Sequence, residues 1–137
     1  MTWDWHSELT EAGPDIARRL RLPETATLSR TRYVFRGDGR PLQLATSYEM
    51  REFASHSDED RRGFVTRMYA HGIKITEIVE SVHTRIPRPV ESDVLDLAAG
   101  VHVLHVERTH WAGDRPVETS DIVIPGDRFR VMYSMPV

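Results

Sequence analysis

The sequence predicts an α+β domain: a single antiparallel β-sheet of about six strands, with helices packed on one face of the sheet. Segments rich in β-branched and aromatic residues alternate with short amphipathic segments of helical periodicity. The chain also repeats one helix–strand–turn–strand unit, in which Leu20 and Pro41 correspond without a gap to Leu95 and Pro116, 75 positions later. Two such hairpins most simply join one sheet, so we expect a single domain over residues 1–137.

The first unit is predicted to begin with a short helix over residues 14–22. Its proline suits the first helical turn, and its apolar residues fall on one helical face. Residues 25–35 are rich in Thr, Tyr, Val and Phe and predict a strand. The Gly-Asp-Gly sequence that follows predicts a tight turn, after which residues 41–48 return as the partner strand.

A helix over residues 57–72 is predicted to connect the two units. Ser57 would cap this helix, acidic residues occupy its first turn, and Gly72 would end it. Its apolar stripe is expected to consist of Phe64, Val65, Met68 and Tyr69.

The second unit is predicted to start with a β-branched strand over residues 73–86. A proline-started helix over residues 87–100 follows it. The rest of the chain predicts three strands, at residues 101–111, 115–124 and 128–135. At the other end of the chain, tryptophans alternate at positions 3 and 5 of a short segment, which favours strand packing or an interface over a binding platform.

Charge and composition exclude several classes of protein. The net charge of −3 lacks the basic excess of a nucleic-acid-binding surface. The absence of cysteine excludes disulfides and thiolate chemistry and suits the reducing cytoplasm. No apolar run reaches membrane-spanning length, and the start MTWDWHSELT lacks the basic and apolar regions of a secretory signal. We therefore expect a cytoplasmic domain that contacts no membrane and does not itself bind DNA.

Three stretches of the chain together resemble one known family. They are ARRLRLPETATLSRTRYVFRGDGRPLQLATSY, then HGIKITEI, then VLDLAAGVHVLHVERTHWAGDRPVETSDIVIPGDRFRVMYSM. In order and spacing they are similar to the UTRA domain, the effector-binding half of HutC-type regulators in the GntR superfamily, over roughly residues 14–135. The resemblance implies a chorismate lyase-like fold, a small-molecule effector and a homodimer. It also implies DNA contact only through a winged helix-turn-helix domain, which this sequence does not include.

The resemblance implies where an effector would bind. Relatives that bind phosphorylated sugars have two arginines on the strand before the first turn, and those positions are Tyr33 and Phe35 here. The glutamate after the second turn is present as Glu118, and the position six residues further on is Ile124. Aromatic and apolar walls are thus expected where phosphate-binding relatives have charge-assisted donors.

Four further positions belong to this implied site. A carboxylate position on the first return strand is Ala45 in this chain, and a serine at the start of the following helix falls near Gly63. Ser47 and Ser120, on the two return strands, are included with them. The effector is therefore expected to be less anionic than a sugar phosphate, or to be held by different donors.

Arg32 and His110 complete the predicted site. Arg30 and Arg32 alternate on their strand and share one face, which is opposite to the face of the neighbouring aromatic residues. Exposed arginines more commonly lie on a solvated or helix-contacting face, but a β-bulge near the glycine-rich turn would bring Arg32 into the site. His110 corresponds to Phe35 in the repeat.

Two other functions are compatible with parts of this pattern. Chorismate lyase works with an arginine and a glutamate, so Glu118 permits a lyase-like enzyme, but the missing arginine pair argues against one and we expect no enzyme activity. A dimerisation module with a vestigial ligand site is the third interpretation. The seven histidines do not predict a metal, because His102 and His105 point to opposite faces and no cysteine or HxxxH spacing supports them. No cofactor is expected.

Overall fold

The computed structural model describes residues 2–54 and 63–137. Within these ranges the strands form one antiparallel sheet in the order β1-β2-β3-β6-β5-β4, which confirms the predicted α+β class with a single sheet. The elements in chain order are β1 (Thr2–Glu11), α1 (Gly13–Leu20), β2 (Thr27–Gly37), β3 (Arg40–Met50), α2 (Phe64–Ala70), β4 (Glu77–Arg85), α3 (Pro89–Val94), β5 (Val103–Ala112) and β6 (Arg115–Pro125). None of these helices has the length and apolar character needed to cross a bilayer.

The repeat in the sequence is also a repeat in the backbone. Each unit is strand–helix–strand–strand, and the pairing of β3 with β6 joins the two units. A β-bulge follows Phe35 in the first unit, and its counterpart follows His110 in the second. Arg21 and Asp96, which are also 75 positions apart, both have left-handed backbone, with φ of 55° and 52°. Equivalent positions therefore share a local conformation even where their side chains differ.

Two helices cover one face of the sheet, called here the back face and defined by Leu44 and Val123. Leu20 of α1 packs on Leu28, and Leu95, just after α3, packs on Leu44 and Val123. Leu20 and Leu95 are equivalent in the repeat and are 3% and 0% exposed. Burying a leucine side chain of this kind contributes about 2 kcal/mol of transfer free energy. These contacts anchor α1 and α3 on the sheet.

The third helix lies on the opposite face, called here the front face and defined by Ser47 and Glu118. Arg67 of α2 forms an ion pair with Glu49, which is two residues beyond Ser47 on β3 and so shares its face. The expectation that all helices pack on one face is therefore wrong for α2. This helix belongs to the connection between the units and not to the repeat, so the repeat does not require it to follow α1 and α3.

The apolar stripe predicted for the connecting helix is only partly correct. Met68 is fully buried, but Val65 and Tyr69 are 45% and 73% exposed. Arg67 is buried in their place, because its guanidinium pairs with a buried carboxylate. The predicted cap at Ser57 and the acidic first turn lie outside the described residues.

The six strands are not the six predicted from the sequence. The N-terminal segment forms a full edge strand, β1, whereas residues 128–135 do not form the predicted strand. Residues 128–135 cannot form a hairpin with β6, because β3 and β5 already flank that strand on both sides. Val131 instead packs over the front face, and the Tyr133 hydroxyl donates a hydrogen bond of 2.6 Å to Glu80 Oε2.

Other predicted elements are present with shifted boundaries. The largest shift is at α3, which ends at Val94 although the sequence predicted a helix over residues 87–100. The left-handed backbone of Asp96 cannot continue a right-handed helix.

Candidate functional site

Nine of the ten residues that the sequence predicts for the site lie on or beside the front face. In the sheet, Tyr33 pairs with Ala45, Ser47 with Ser120, and Glu118 with His110. Gly63 directly precedes α2, which packs on this face. The eight residues on strands are Tyr33, Phe35, Ala45, Ser47, His110, Glu118, Ser120 and Ile124.

Arg32 is the predicted residue that lies elsewhere. The bulge that could have reversed its direction occurs after Phe35, beyond Arg32 on the strand, so its side chain remains on the back face. There it lines a cavity between α1 and α3. Its neighbour on the same face, Arg30, forms an ion pair with Glu8 of the edge strand.

The centre of the front face is a buried carboxylate. Ser47 Oγ donates a hydrogen bond of 2.6 Å to Glu118 Oε2, and His110 Nδ1 lies 2.8 Å from Glu118 Oε1. Glu118 is 4% exposed. The Phe64 ring of α2 lies 4.5 Å from the His110 ring, measured between centroids, and closes this side of the network. Because both oxygens have a fixed partner, the carboxylate is held in one orientation.

A second carboxylate lies beside the first on the front face, on the neighbouring strand. Glu49 pairs with Glu118 between β3 and β6, and Arg67 binds it through Nη1 and Nη2 at 3.1 and 3.3 Å. Arg67 also donates to the backbone carbonyl of Phe53. Burial raises the pKa of Glu49 to about 7, against the opposing effect of Arg67. The sequence reasoning missed this pair, although the position of Glu49 two residues after Ser47 assigns it to the same face.

The half of the front face formed by the first unit is aromatic. The rings of Tyr33 and Phe35 are stacked with centroids 5.9 Å apart, and Trp3 lies 6.4 Å from Phe35. Trp5 is the strand partner of Tyr33. Burial raises the pKa of the Tyr33 hydroxyl above its ordinary value. These side chains provide stacking surface and one hydroxyl.

The half of the front face formed by the second unit is charged. The C-terminal segment, residues 126–137 after β6, contacts it. Arg108 Nε lies 3.0 Å from Glu80 Oε1, and Tyr133 binds the other oxygen of Glu80. Burial acts to raise the pKa of Glu80, but the hydrogen bonds from Tyr133 and Arg108 outweigh it and lower that pKa. Val131 packs near Ala45. The C-terminal segment and α2 thus both contact the front face.

A metal does not fit the one group of metal-type side chains found among the described residues. His105, Glu107 and Asp121 converge on the back face. Arg19 already supplies the positive charge there, with Nη1 3.0 Å from Asp121 and Nη2 3.2 Å from Glu107. A divalent cation would have to displace this arginine, which is nine-tenths buried.

Comparison with known proteins agrees with this architecture. The family model of the UTRA domain matches residues 5–130. An uncharacterized HTH-type transcriptional regulator of Rhizobium meliloti (strain 1021) is 30% identical over 131 residues, covering 92% of this chain and 53% of the relative. A solved chain assigned to the GntR family of transcriptional regulators is 36% identical, with a TM-score of 0.91 over 99% of this chain and 59% of that chain.

A more distant structure shows the fold alone. It is the C-terminal domain of the histidine utilization repressor from Pseudomonas syringae pv. tomato str. DC3000. The two chains are 20% identical, and each is covered to 99% with a TM-score of 0.86.

The fold and the comparisons together define a domain of the kind found in GntR-family transcriptional regulators. The chain belongs to the UTRA domain family, as the sequence motifs indicated. The chain spans about half of the length of the Rhizobium meliloti regulator, of which it covers 53%.

Proposed function

We propose that the front face binds a small-molecule effector, and that this binding changes DNA binding by a winged-helix domain of the same regulator. One observation supports the proposal: site residues predicted in both units lie together on the front face, around the buried Glu118. A ligand that binds one arrangement of α2 and the C-terminal segment more tightly than another would shift the equilibrium toward the first arrangement. The size of the shift is set by the ratio of the two affinities.

The proposed effector has a hydrogen-bond-donating group and a planar or apolar part, and it carries no phosphate. Glu118 offers acceptor oxygens, and the stacked Tyr33 and Phe35 offer an aromatic wall. A phosphate would need charge-assisted donors. Among the described residues, the two front-face arginines are already ion-paired. Arg67 pairs with Glu49, and Arg108 pairs with Glu80.

We propose binding without turnover. A chorismate lyase-like reaction needs a cationic clamp for a dicarboxylate, and the described front-face arginines are ion-paired. Incubation of the chain with chorismate should therefore give no product above the uncatalysed rate, measured by chromatography. We assign the regulator to the cytoplasm, where a protein that responds to a metabolite and controls DNA would act.

A homodimer through the edge strand β4 is a further part of the proposal. Three apolar side chains of this strand are exposed: Ile78 at 49%, Val79 at 48% and Val82 at 41%. An open edge with exposed apolar side chains favours pairing with a second copy. Light scattering after size exclusion should show a dimer that Val79→Lys makes monomeric. Leu9→Lys, on the opposite edge strand, should leave the dimer intact.

A thermal-shift screen tests the effector proposal. Amino acids, aromatic acids, amines, sugars and sugar phosphates would each be titrated against the chain. A bound compound at 100 times its dissociation constant stabilises the fold by about 2.7 kcal/mol. We expect one class other than sugar phosphates to raise the melting temperature.

The site is tested by variants in the same screen. Glu118→Gln should reduce the shift strongly, because it removes the charge that orients the ligand. Glu24→Gln is the matched control, since Glu24 is exposed in the loop after α1. An equal shift in both variants, or the absence of any stabilising compound, contradicts the proposal.

A further inference from the structure

A cavity of about 580 Å³ lies on the back face, between α1 and α3. The sheet separates it from the front face, because the strand residues that line it alternate with those of the front-face site. Its volume is within the range of small-molecule sites. This cavity is distinct from the site of the proposed function.

One half of the cavity floor is apolar. Val34, Leu44 and Val123 are adjacent in the sheet, each paired with the next across the strands β2, β3 and β6. Val90 and Val94 of α3 form the wall above them. A hydrocarbon or aryl group would be removed from water on both sides there, at a gain of roughly 25 cal/mol for each Å² buried.

The other half of the floor is polar, and it contains an arginine, Arg32, that has no ion pair in the part of the chain that the structure describes. Arg32 pairs with Thr46 in the sheet, and Thr46 pairs with Asp121, so this row lies beside the apolar row. Arg32 has no hydrogen bond or salt bridge with any described residue, and it is exposed. It is two residues from Val34 on the same strand, so both side chains point into the cavity.

Each of the four carboxylates that line the cavity already has an arginine partner. Arg19 binds Asp121 and Glu107 and also contacts Asp15. Arg85 donates to the two carboxylate oxygens of Glu91 through Nη1 and Nη2, at 2.7 Å each.

Arg88, just before α3, is the second exposed arginine that lines the cavity without an ion pair among the described residues. Two guanidinium groups are therefore available to an incoming anion.

We propose that this cavity binds a small amphiphilic anion. Its carboxylate or phosphate group would accept hydrogen bonds from Arg32 and Arg88, and its aliphatic or aryl body would lie on Val34, Leu44 and Val123. An apolar floor beside two arginines without an ion pair among the described residues selects this class over two others. Neutral apolar molecules leave the arginines unused, and small inorganic anions make no contact with the apolar floor.

Calorimetric titration of the whole chain tests the ligand class with three probes of equal chain length: octanoate, octyl phosphate and octanamide. We expect saturable one-to-one binding of octanoate or octyl phosphate, and the tighter of the two identifies the preferred head group. Octanamide should bind at least about tenfold more weakly, because it cannot form charge-assisted bonds. Equal affinity for the amide, or no saturable binding of either anion, overturns the proposal.

Variants test the position of this site. Arg32→Gln and Arg88→Gln should each weaken binding of the preferred anion about tenfold. Arg40→Gln makes the same charge change at the exposed first residue of β3 and should leave the affinity unchanged. Glu118→Gln should also leave it unchanged, which separates this site from the front face. Unchanged affinity in both Arg32→Gln and Arg88→Gln, or its loss in Glu118→Gln alone, contradicts the assignment.

Discussion

The front face of the first unit is aromatic, whereas the front face of the second unit is charged. In the first unit Trp3 pairs with Phe35, and Trp5 pairs with Tyr33. In the second unit the equivalent strand pairs join Ile78 to His110 and Glu80 to Arg108. Glu118 likewise has a neutral counterpart, Gln43, in the first unit.

The back-face core does not show this difference. Leu28 and Val103 are equivalent and both fully buried, and the bulges after Phe35 and His110 are at equivalent positions. Packing and backbone geometry thus maintain the shared frame, while the front-face positions differ in chemistry without changing it. A single charged network beside an aromatic wall results, where two identical halves would have given a symmetrical site.

The largest expected effects come from the core positions that the units share. Leu20→Ala and Leu95→Ala should each lower the free energy of unfolding by about 3 kcal/mol, because each leaves a cavity between a helix and the sheet. Urea denaturation measures both values. A loss below about 1 kcal/mol in one variant only would break the equivalence of the two units.

The next prediction concerns a carboxylate that only the first unit has. The equivalent of Glu49 is Ile124. Because burial raises the pKa of Glu49 to about 7 from an ordinary value of 4.5, the folded state binds a proton more tightly than the unfolded state. This contribution to stability is complete below pH 4.5 and is lost as pH rises to about 7, by at most about 3 kcal/mol.

Glu49→Gln isolates that effect. The free energy of unfolding of the variant, minus that of the unmodified chain, should increase between pH 4.5 and 7.5 in urea titrations. A difference that stays constant over this range would show that Glu49 is not perturbed by burial.

Exchanging the equivalent residues His110 and Phe35 sharpens the contrast between the halves. His110→Phe removes one partner of the buried Glu118 and should cost about 1–2 kcal/mol in urea denaturation. It should also abolish any effector-induced thermal shift. Phe35→His leaves both partners of Glu118 in place and should retain the carboxylate network. Equal stability of His110→Phe and the unmodified chain would contradict a structural role for the network.

The smallest effect is expected at the two hairpin turns. Asp38 and Gly113 are equivalent and have left-handed φ of 53° and 63°. Since an aspartate already occupies this conformation in the first unit, Gly113→Asp should change the free energy of unfolding by less than about 1 kcal/mol. Gly113→Val should cost more, because a β-branched residue is strained there. Similar melting temperatures for the two variants would contradict this difference.

The repeat predicts one strand that sequence polarity obscures. Carrying the predicted strand over residues 73–86 back by 75 positions places a strand at the N-terminus, where β1 is found. Sequence polarity obscured it, because β1 is an edge strand with one open side and many exposed residues. The strand expected at residues 128–135 failed for a topological reason, since β6 already has two neighbours.

The strand residues of the candidate site could be predicted from the sequence, but the contribution of α2 could not. Strand parity brought residues such as Ser47, Ser120 and Glu118 to one face, because alternation fixes direction. The inward position of Arg67 could not be predicted, since it depends on a carboxylate, Glu49, that is 18 residues away in sequence. Periodicity assigned the inward positions of α2 to apolar residues, and a buried ion pair does not follow that pattern.

The most direct test of the account uses the compound that gives the largest thermal shift in the screen. Its affinity for the unmodified chain, Glu118→Gln and Arg32→Gln would be measured by calorimetry. We predict at least about a tenfold loss of affinity in Glu118→Gln, as expected for a bond to a charged group, and no change in Arg32→Gln. Full affinity in Glu118→Gln, with a loss in Arg32→Gln, would move the effector to the back face and contradict the front-face site.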